Sequence, residues 1–264
     1  MPKAKINGLS MSFEDTGGSL PAILFSHSFG MIGAMFAPQL EMFRQDYRCI
    51  TWDERAHGGT RADQPFDFWD SAKDALALLD HLGVQRAAFV GTSQGGFLAM
   101  RAALLAPDRV SGLAILGSSA AAEAPEQRAA YMPLHDAFVG GGTSGPPEEV
   151  IQIIGQVCLG DYADAERWKT IWRAWPADQF SRAFYALVDR DSLLDRLNEI
   201  EPPVLVMHGT ADASYAPAHA ETIARNVPHL ADFELVENGA HFLSLTNSSP
   251  VNAKLAGFLP QLRW

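Results

Sequence analysis

Five short, largely apolar runs constrain this chain more than any other feature. They are AILFS (Ala22–Ser26), YRCITW (Tyr47–Trp52), AAFVG (Ala87–Gly91), LAIL (Leu113–Leu116) and PVLVMHG (Pro203–Gly209). A strand with one face in water alternates apolar and polar residues. A strand covered on both faces does not, so these runs predict the buried strands of a parallel sheet. Segments with helical spacing lie between them. Trp69, Ala72, Leu76, Leu79 and Leu82 recur every three or four residues and stop at Gly83, and a second segment runs from Gln94 to Ala106, ahead of Pro107. Strand and helix in alternation imply right-handed crossovers with helices on both faces, an α/β doubly wound sheet. Loose alternation from Lys3 to Asp15, broken at Gly8, reads as an antiparallel strand pair, FELVE (Phe233–Glu237) as a last strand and Val251–Leu259 as a closing helix.

The alternation fails between about residues 120 and 200, where helix-like segments follow one another without a strand-like run. This predicts a helical cap, residues 120–200, inserted into a core domain made of residues 1–119 and 201–264. GGGTSGPP (Gly140–Pro147) cannot hold a regular helix and is expected to link two cap helices. Trp168, Trp172 and Trp175 are four and three residues apart and share one helix face, either fastening cap to core or lining a pocket.

With 47% hydrophobic and 19% charged residues the chain can build a large core, and its net charge of −11 repels phosphate backbones and anionic headgroups. Neither nucleic acid nor a membrane surface is therefore an expected partner. Cys49 and Cys158 are far apart and form no Cys-x-x-Cys pair, which suggests neither a disulfide framework nor a zinc site and fits a cytoplasmic protein. No apolar h-region follows Lys3 and Lys5, and no apolar run approaches eighteen residues, so nothing marks the chain for export or insertion.

Directly after AAFVG comes GTSQGG, so Gly91–Gly95 reads G-x-S-x-G where a strand ends and a helix begins. That context holds a serine on a strained turn with its hydroxyl exposed, which makes Ser93 the candidate nucleophile. A serine needs a base, and the base needs a partner that fixes its tautomer. His241 lies in the loop after the last strand, late enough to complete the order serine, acid, histidine. His57, His81, His135, His208, His219 and His229 fall in strand ends, a Gly-rich loop or helical segments and read as structural or solvated. Asp212, just beyond PVLVMHG, is the candidate acid, since the loop after LAIL has no carboxylate before Glu123. Two donors should face the developing oxyanion. Gln94 N–H follows the nucleophile at a helix start, and the second donor is expected from the SHSFG loop, Phe29 N–H first with Ser28 N–H behind it. No metal cluster, phosphate loop or cofactor motif occurs, so the expected chemistry needs only water.

These residues resemble the α/β-hydrolase superfamily over essentially the whole chain. HSFG is similar to its oxyanion loop, WDERAHGGT (Trp52–Thr60) to its Asp-x-Arg-Gly-His-Gly-x-Ser loop, GTSQGG to its nucleophile elbow, HGTAD to its acid loop and NGAH to its histidine loop. SHSFG, MFAPQ and the cap position look most like the 3-oxoadipate enol-lactonase and small-molecule esterase branch. Ser28 and Ala56 replace the usual glycines and Thr60 the usual serine, while Asp53, Arg55 and His57 are expected to brace loops. A serine at the elbow sets the chain apart from haloalkane dehalogenases and epoxide hydrolases, which use a carboxylate there. The resemblance implies a cofactor-free serine hydrolase acting on small to medium carboxylic esters, with Ser28, Trp172 and Phe184 contacting substrate. A lactone is the close alternative. One that carries carboxylates would want a cap cation, for which Arg128, Arg167, Arg173, Arg182 and Arg190 are candidates. Hydrolysis of a C–C bond, or a ligand receptor with incidental hydrolysis, also fits the triad.

Overall fold

The computed structural model describes residues 2–142 and 145–264. Its strands are β1 (Lys3–Ile6), β2 (Leu9–Asp15), β3 (Ala22–Ser26), β4 (Arg48–Trp52), β5 (Ala87–Thr92), β6 (Val110–Leu116), β7 (Val204–Gly209) and β8 (Leu230–Val236). They form one sheet in the order β1-β2-β4-β3-β5-β6-β7-β8. The first two pairings are antiparallel and all the others parallel. Every residue of β3, β5, β6 and β7 is buried, as the continuous runs require. Alternate residues feed opposite cores. Leu24, Phe89, Leu113 and Val206 pack with α2 (Phe68–His81), α3 (Gln94–Leu105) and α8 (Ala218–Asn226). Phe25, Val90, Leu116 and Met207 pack with α1 (Ala37–Phe43) and α10 (Ser248–Phe258) on the other face.

Local chemistry sets the helix ends. Asp67 caps α2 by accepting from Asp70 N–H at 2.9 Å while the Asp70 carboxylate reaches back to Asp67 N–H, a reciprocal capping box. Gly83, at φ +67°, ends the helix in the left-handed region where a side chain would be strained. The last strand corrects the expected Phe233–Glu237: β8 starts at Leu230 and ends at Val236. It is an edge strand whose first three residues are exposed, so half of it carries no apolar run to read. Among the described residues no helix is long and apolar enough to cross a membrane.

Between β6 and β7 lie α4 (Pro125–Gly140), α5 (Glu148–Leu159), α6 (Ala165–Arg173) and α7 (Ala177–Val188), with α4 packed on α7 and α5 on α6. The segment expected to link two of them joins α4 to α5, and its Thr143 and Ser144 lie outside the described residues. The insertion is fastened to the core by indoles. Trp172 Nε1–H donates to Gly30 O at 2.6 Å and Trp175 Nε1–H to Ala56 O at 2.8 Å, while Trp168 is buried between α6 and its neighbours. Replacing Trp172 by alanine removes a side chain only 1% exposed and leaves a buried carbonyl without its donor. It is expected to cost about 3–5 kcal/mol, read as a lowered urea midpoint at unchanged slope.

Candidate active site

The nucleophile elbow is a matter of crowding. Ser93 has φ +53° and ψ −114°, an outlier for a residue with a side chain, of a kind that costs about 1–3 kcal/mol. Ser93 N–H is fixed to Leu116 O at 2.8 Å, and Ser118 Oγ–H donates to Ser93 O at 2.8 Å. The flanking glycines are required by close approach: a Cβ on Gly91 would strike the Gly95 carbonyl, and one on Gly95 would strike the Ser26 carbonyl at the end of β3. The tight turn therefore presses the start of α3 against the loop after β3.

From this turn Ser93 Oγ lies 3.0 Å from His241 Nε2, and His241 Nδ1 lies 2.8 Å from Asp212 Oδ2. The structure thus brings together the three side chains that the loops predict, across 148 and 29 positions of sequence. Asp212 is fully occupied. Its Oδ1 accepts Ser214 N–H at 2.8 Å and Tyr215 N–H at 3.0 Å, and its Oδ2 also lies 3.2 Å from His208 Nε2. Burial alone would raise its pKa, but attraction and a hydrogen bond from His241, with the Tyr215 N–H, hold it below the usual carboxylate value. An ionised carboxylate there fixes the proton on Nδ1 and leaves Nε2 free to accept from Ser93.

Behind the SHSFG loop, His27 Nδ1–H donates to Ser28 O at 2.8 Å, and Met31 N–H donates to the same carbonyl at 3.0 Å. Ser28 C=O and Phe29 N–H belong to one trans peptide, so anchoring the carbonyl turns the N–H to the opposite side. Among the described residues neither Phe29 N–H nor Gln94 N–H donates a hydrogen bond, leaving both free for a ligand. Asp53 accepts from Gly33 and Gly59 N–H, and His57 Nδ1–H donates to Arg55 O, so these side chains brace loops.

The serine opens into a cavity of about 320 Å³, near the small end of the roughly 300–1,000 Å³ usual for small-molecule sites. Ser28, Phe29 and His241 form its floor with Ser93, and Leu134, Ile154, Val157, Phe180 and Phe184 form its apolar walls. Phe184 therefore stands where the sequence places it. Trp172 does not: it is absent from the lining, because its indole is turned to the Gly30 carbonyl, and the expectation that it contacts substrate is corrected. Tyr131 and Cys158 reach the cavity unannounced by any motif. Burial pushes the Cys158 thiol up to about 12, so it stays protonated and is no rival nucleophile.

Among the described residues no cationic side chain lines the cavity. Arg128 pairs with Asp189, Arg167 with Asp164, Arg173 with Glu148 and Glu166, Arg182 with Asp178, and Arg190 with Glu123. Nor, among the described residues, do three or more His, Cys, Asp or Glu side chains gather in a group able to hold a metal ion.

Comparison with known proteins bears on the fold. Residues 21–140 match the alpha/beta hydrolase fold family. The human serine hydrolase BPHL is 26% identical over 97% of this chain and 85% of its own length. The 3-oxoadipate enol-lactonase 1 of Acinetobacter baylyi is 24% identical over 97% of this chain and 95% of its own. Among solved structures, the enol-lactonase of Burkholderia xenovorans LB400 superposes with a TM-score of 0.87 at 22% identity, covering 98% of this chain and all of the other. With a mostly parallel sheet, an elbow between β5 and α3, and similarity that spans nearly its whole length, this chain has the α/β-hydrolase fold.

Proposed function

We propose that the protein is a cofactor-free serine hydrolase of uncharged carboxylic esters whose acyl group is apolar and of small to medium size. The observation that carries this reading is the hydrogen-bonded series Ser93–His241–Asp212 opening into a cavity with apolar walls and, among the described residues, no Lys or Arg in its lining. Ser93 Oγ attacks the ester carbonyl as its proton passes to His241 Nε2, and Phe29 and Gln94 N–H hold the oxyanion. His241 then returns the proton to the departing alcohol, leaving an acyl-serine. A water deprotonated by the same imidazole releases the acid and regenerates Ser93. Asp212 keeps the imidazole aligned and compensates its charge. The acyl part lies against Phe184 and Phe180, with Ser28 beside the reacting carbonyl, beneath a cap formed by residues 120–200.

The names of the enol-lactonases make a lactone the second reading, since ring opening passes through the same tetrahedral intermediate. The cavity favours a neutral ring over one bearing carboxylates, because every cap arginine considered for that purpose is paired elsewhere. Burying an unpaired carboxylate costs several kcal/mol, so kcat/KM for an acyl group ending in a carboxylate should fall at least about a hundredfold below its methyl-ended counterpart. A panel of p-nitrophenyl esters and lactones, each in neutral and carboxylated form, checks this. Equal rates for both forms would sink the assignment of substrate charge, and no turnover of any member would sink the hydrolase reading. Repeated turnover after a first acylation separates an enzyme from a receptor that stops at one event.

A further inference from the structure

Glu54, in the loop after β4, is a buried carboxyl group only 1% exposed that has no place in the mechanism above. Its contacts run in two directions. Its Oε2 accepts Gln94 Nε2–H at 2.7 Å, and its own backbone N–H donates to His27 Nε2 at 2.8 Å. His27 can accept at Nε2 only if its proton is on Nδ1, which is the nitrogen that donates to Ser28 O. One residue thus reaches both segments that offer the free N–H groups: the Ser28–Phe29 peptide through His27, and the first residue of α3 through the Gln94 side chain. We propose that Glu54 is a positioning residue of the oxyanion hole, setting the separation and direction of the Phe29 and Gln94 N–H groups by holding the loop after β3 and the start of α3 to one anchor.

Burial lowers His27 to about 4, so the imidazole is neutral and its two nitrogens keep fixed donor and acceptor roles. Burial also raises Glu54 well above the usual carboxyl value, against the pull of the Gln94 hydrogen bond and with Asp74 and Asp53 adding to it. That shift disfavours a negative charge behind the site where an oxyanion forms. A donor displaced by about 1 Å can cost roughly a hundredfold in rate, so an anchor shared by both donors bears on the chemical step without touching substrate.

The inference rests on the serine-hydrolase reading, and the experiment separates the two. Glu54→Leu is expected to lower kcat by about ten- to a hundredfold with KM little changed, because the misplaced donors matter in the transition state and not in the bound ester. Binding of a trifluoromethyl ketone, which forms an oxyanion on Ser93, should weaken by the same factor. Glu54→Gln keeps an uncharged acceptor for Gln94 and should recover most of the loss. Should Glu54→Leu fail to fold, Gln94→Leu cuts the same contact from the other end while keeping the backbone N–H, and should show the same signature. Where both fold, the double variant should lose no more than either single one. Wild-type kcat in either leucine variant, equal impairment of Glu54→Gln and Glu54→Leu, or additive losses in the double variant would overturn the proposal. A dead Ser93→Ala beside a fully active Glu54→Leu would leave the serine mechanism standing and remove only this inference, whereas an active Ser93→Ala would remove the reading beneath it.

Discussion

Ser93→Ala is expected to lower kcat by at least about three orders of magnitude with little change in KM, since removing a nucleophile leaves only the catalysis of the oxyanion donors and of binding. The geometry sharpens the expectation. His241 Nε2 has Ser93 Oγ at 3.0 Å, and the Cys158 thiol that reaches the cavity is kept protonated by burial. Stability should hardly move, because alanine keeps the same Cβ on the same turn and loses only one side-chain hydrogen bond, that to His241 Nε2. Stopped assays with a chromogenic ester, paired with thermal unfolding of both proteins, give both numbers. A variant with wild-type turnover would show that another group attacks the carbonyl.

Asp212→Asn should be as damaging, about ten-thousandfold in kcat by comparison with the equivalent loss in serine proteases. The reason lies in the surroundings of the carboxylate. Ser214 and Tyr215 N–H both point at Oδ1, so an asparagine must place its carbonyl oxygen there and its NH₂ toward His241. An NH₂ facing Nδ1 turns that nitrogen into an acceptor and moves the imidazole proton to Nε2, where it can no longer receive one from Ser93. The same NH₂ meets His208 Nε2–H, which already donates to Tyr215 O at 2.9 Å, so the variant should also lose some stability at neutral pH. Kinetics show the first effect and a denaturant midpoint the second. Retention of kcat within tenfold would mean that Asp212 does not set the tautomer.

The buried strands are legible in the sequence because covering both faces leaves no polar alternation, and β3, β5, β6 and β7 lie where their runs are. β8 is displaced because an exposed edge face carries no such signal. Ser93, His241 and Asp212 are legible for a different reason: each sits in a loop at the same end of a parallel strand, so the order of elements brings them together. The pocket is not legible in this way. Trp172 and Trp168 share a helix face, but spacing cannot say whether that face meets the cavity or the core, and the Gly30 carbonyl decides it. Ile154 and Val157 reach the cavity only through the way α5 lies on its neighbours. Glu54 and Gln94 are forty positions apart, and nothing in either loop alone announces their contact.

The cavity without a cation bears on the end of the reaction as much as on its start. On the proposed reading, hydrolysis of a neutral ester creates an ionised acid in a place where, among the described residues, no Lys or Arg offers it a counter-ion, inside a molecule whose net charge is −11. The product is thus ejected by the same walls that admit the reactant, and resynthesis from acid and alcohol begins from a species that the chamber refuses. On this account accumulating acid should scarcely slow the forward rate, since the free product binds the chamber poorly.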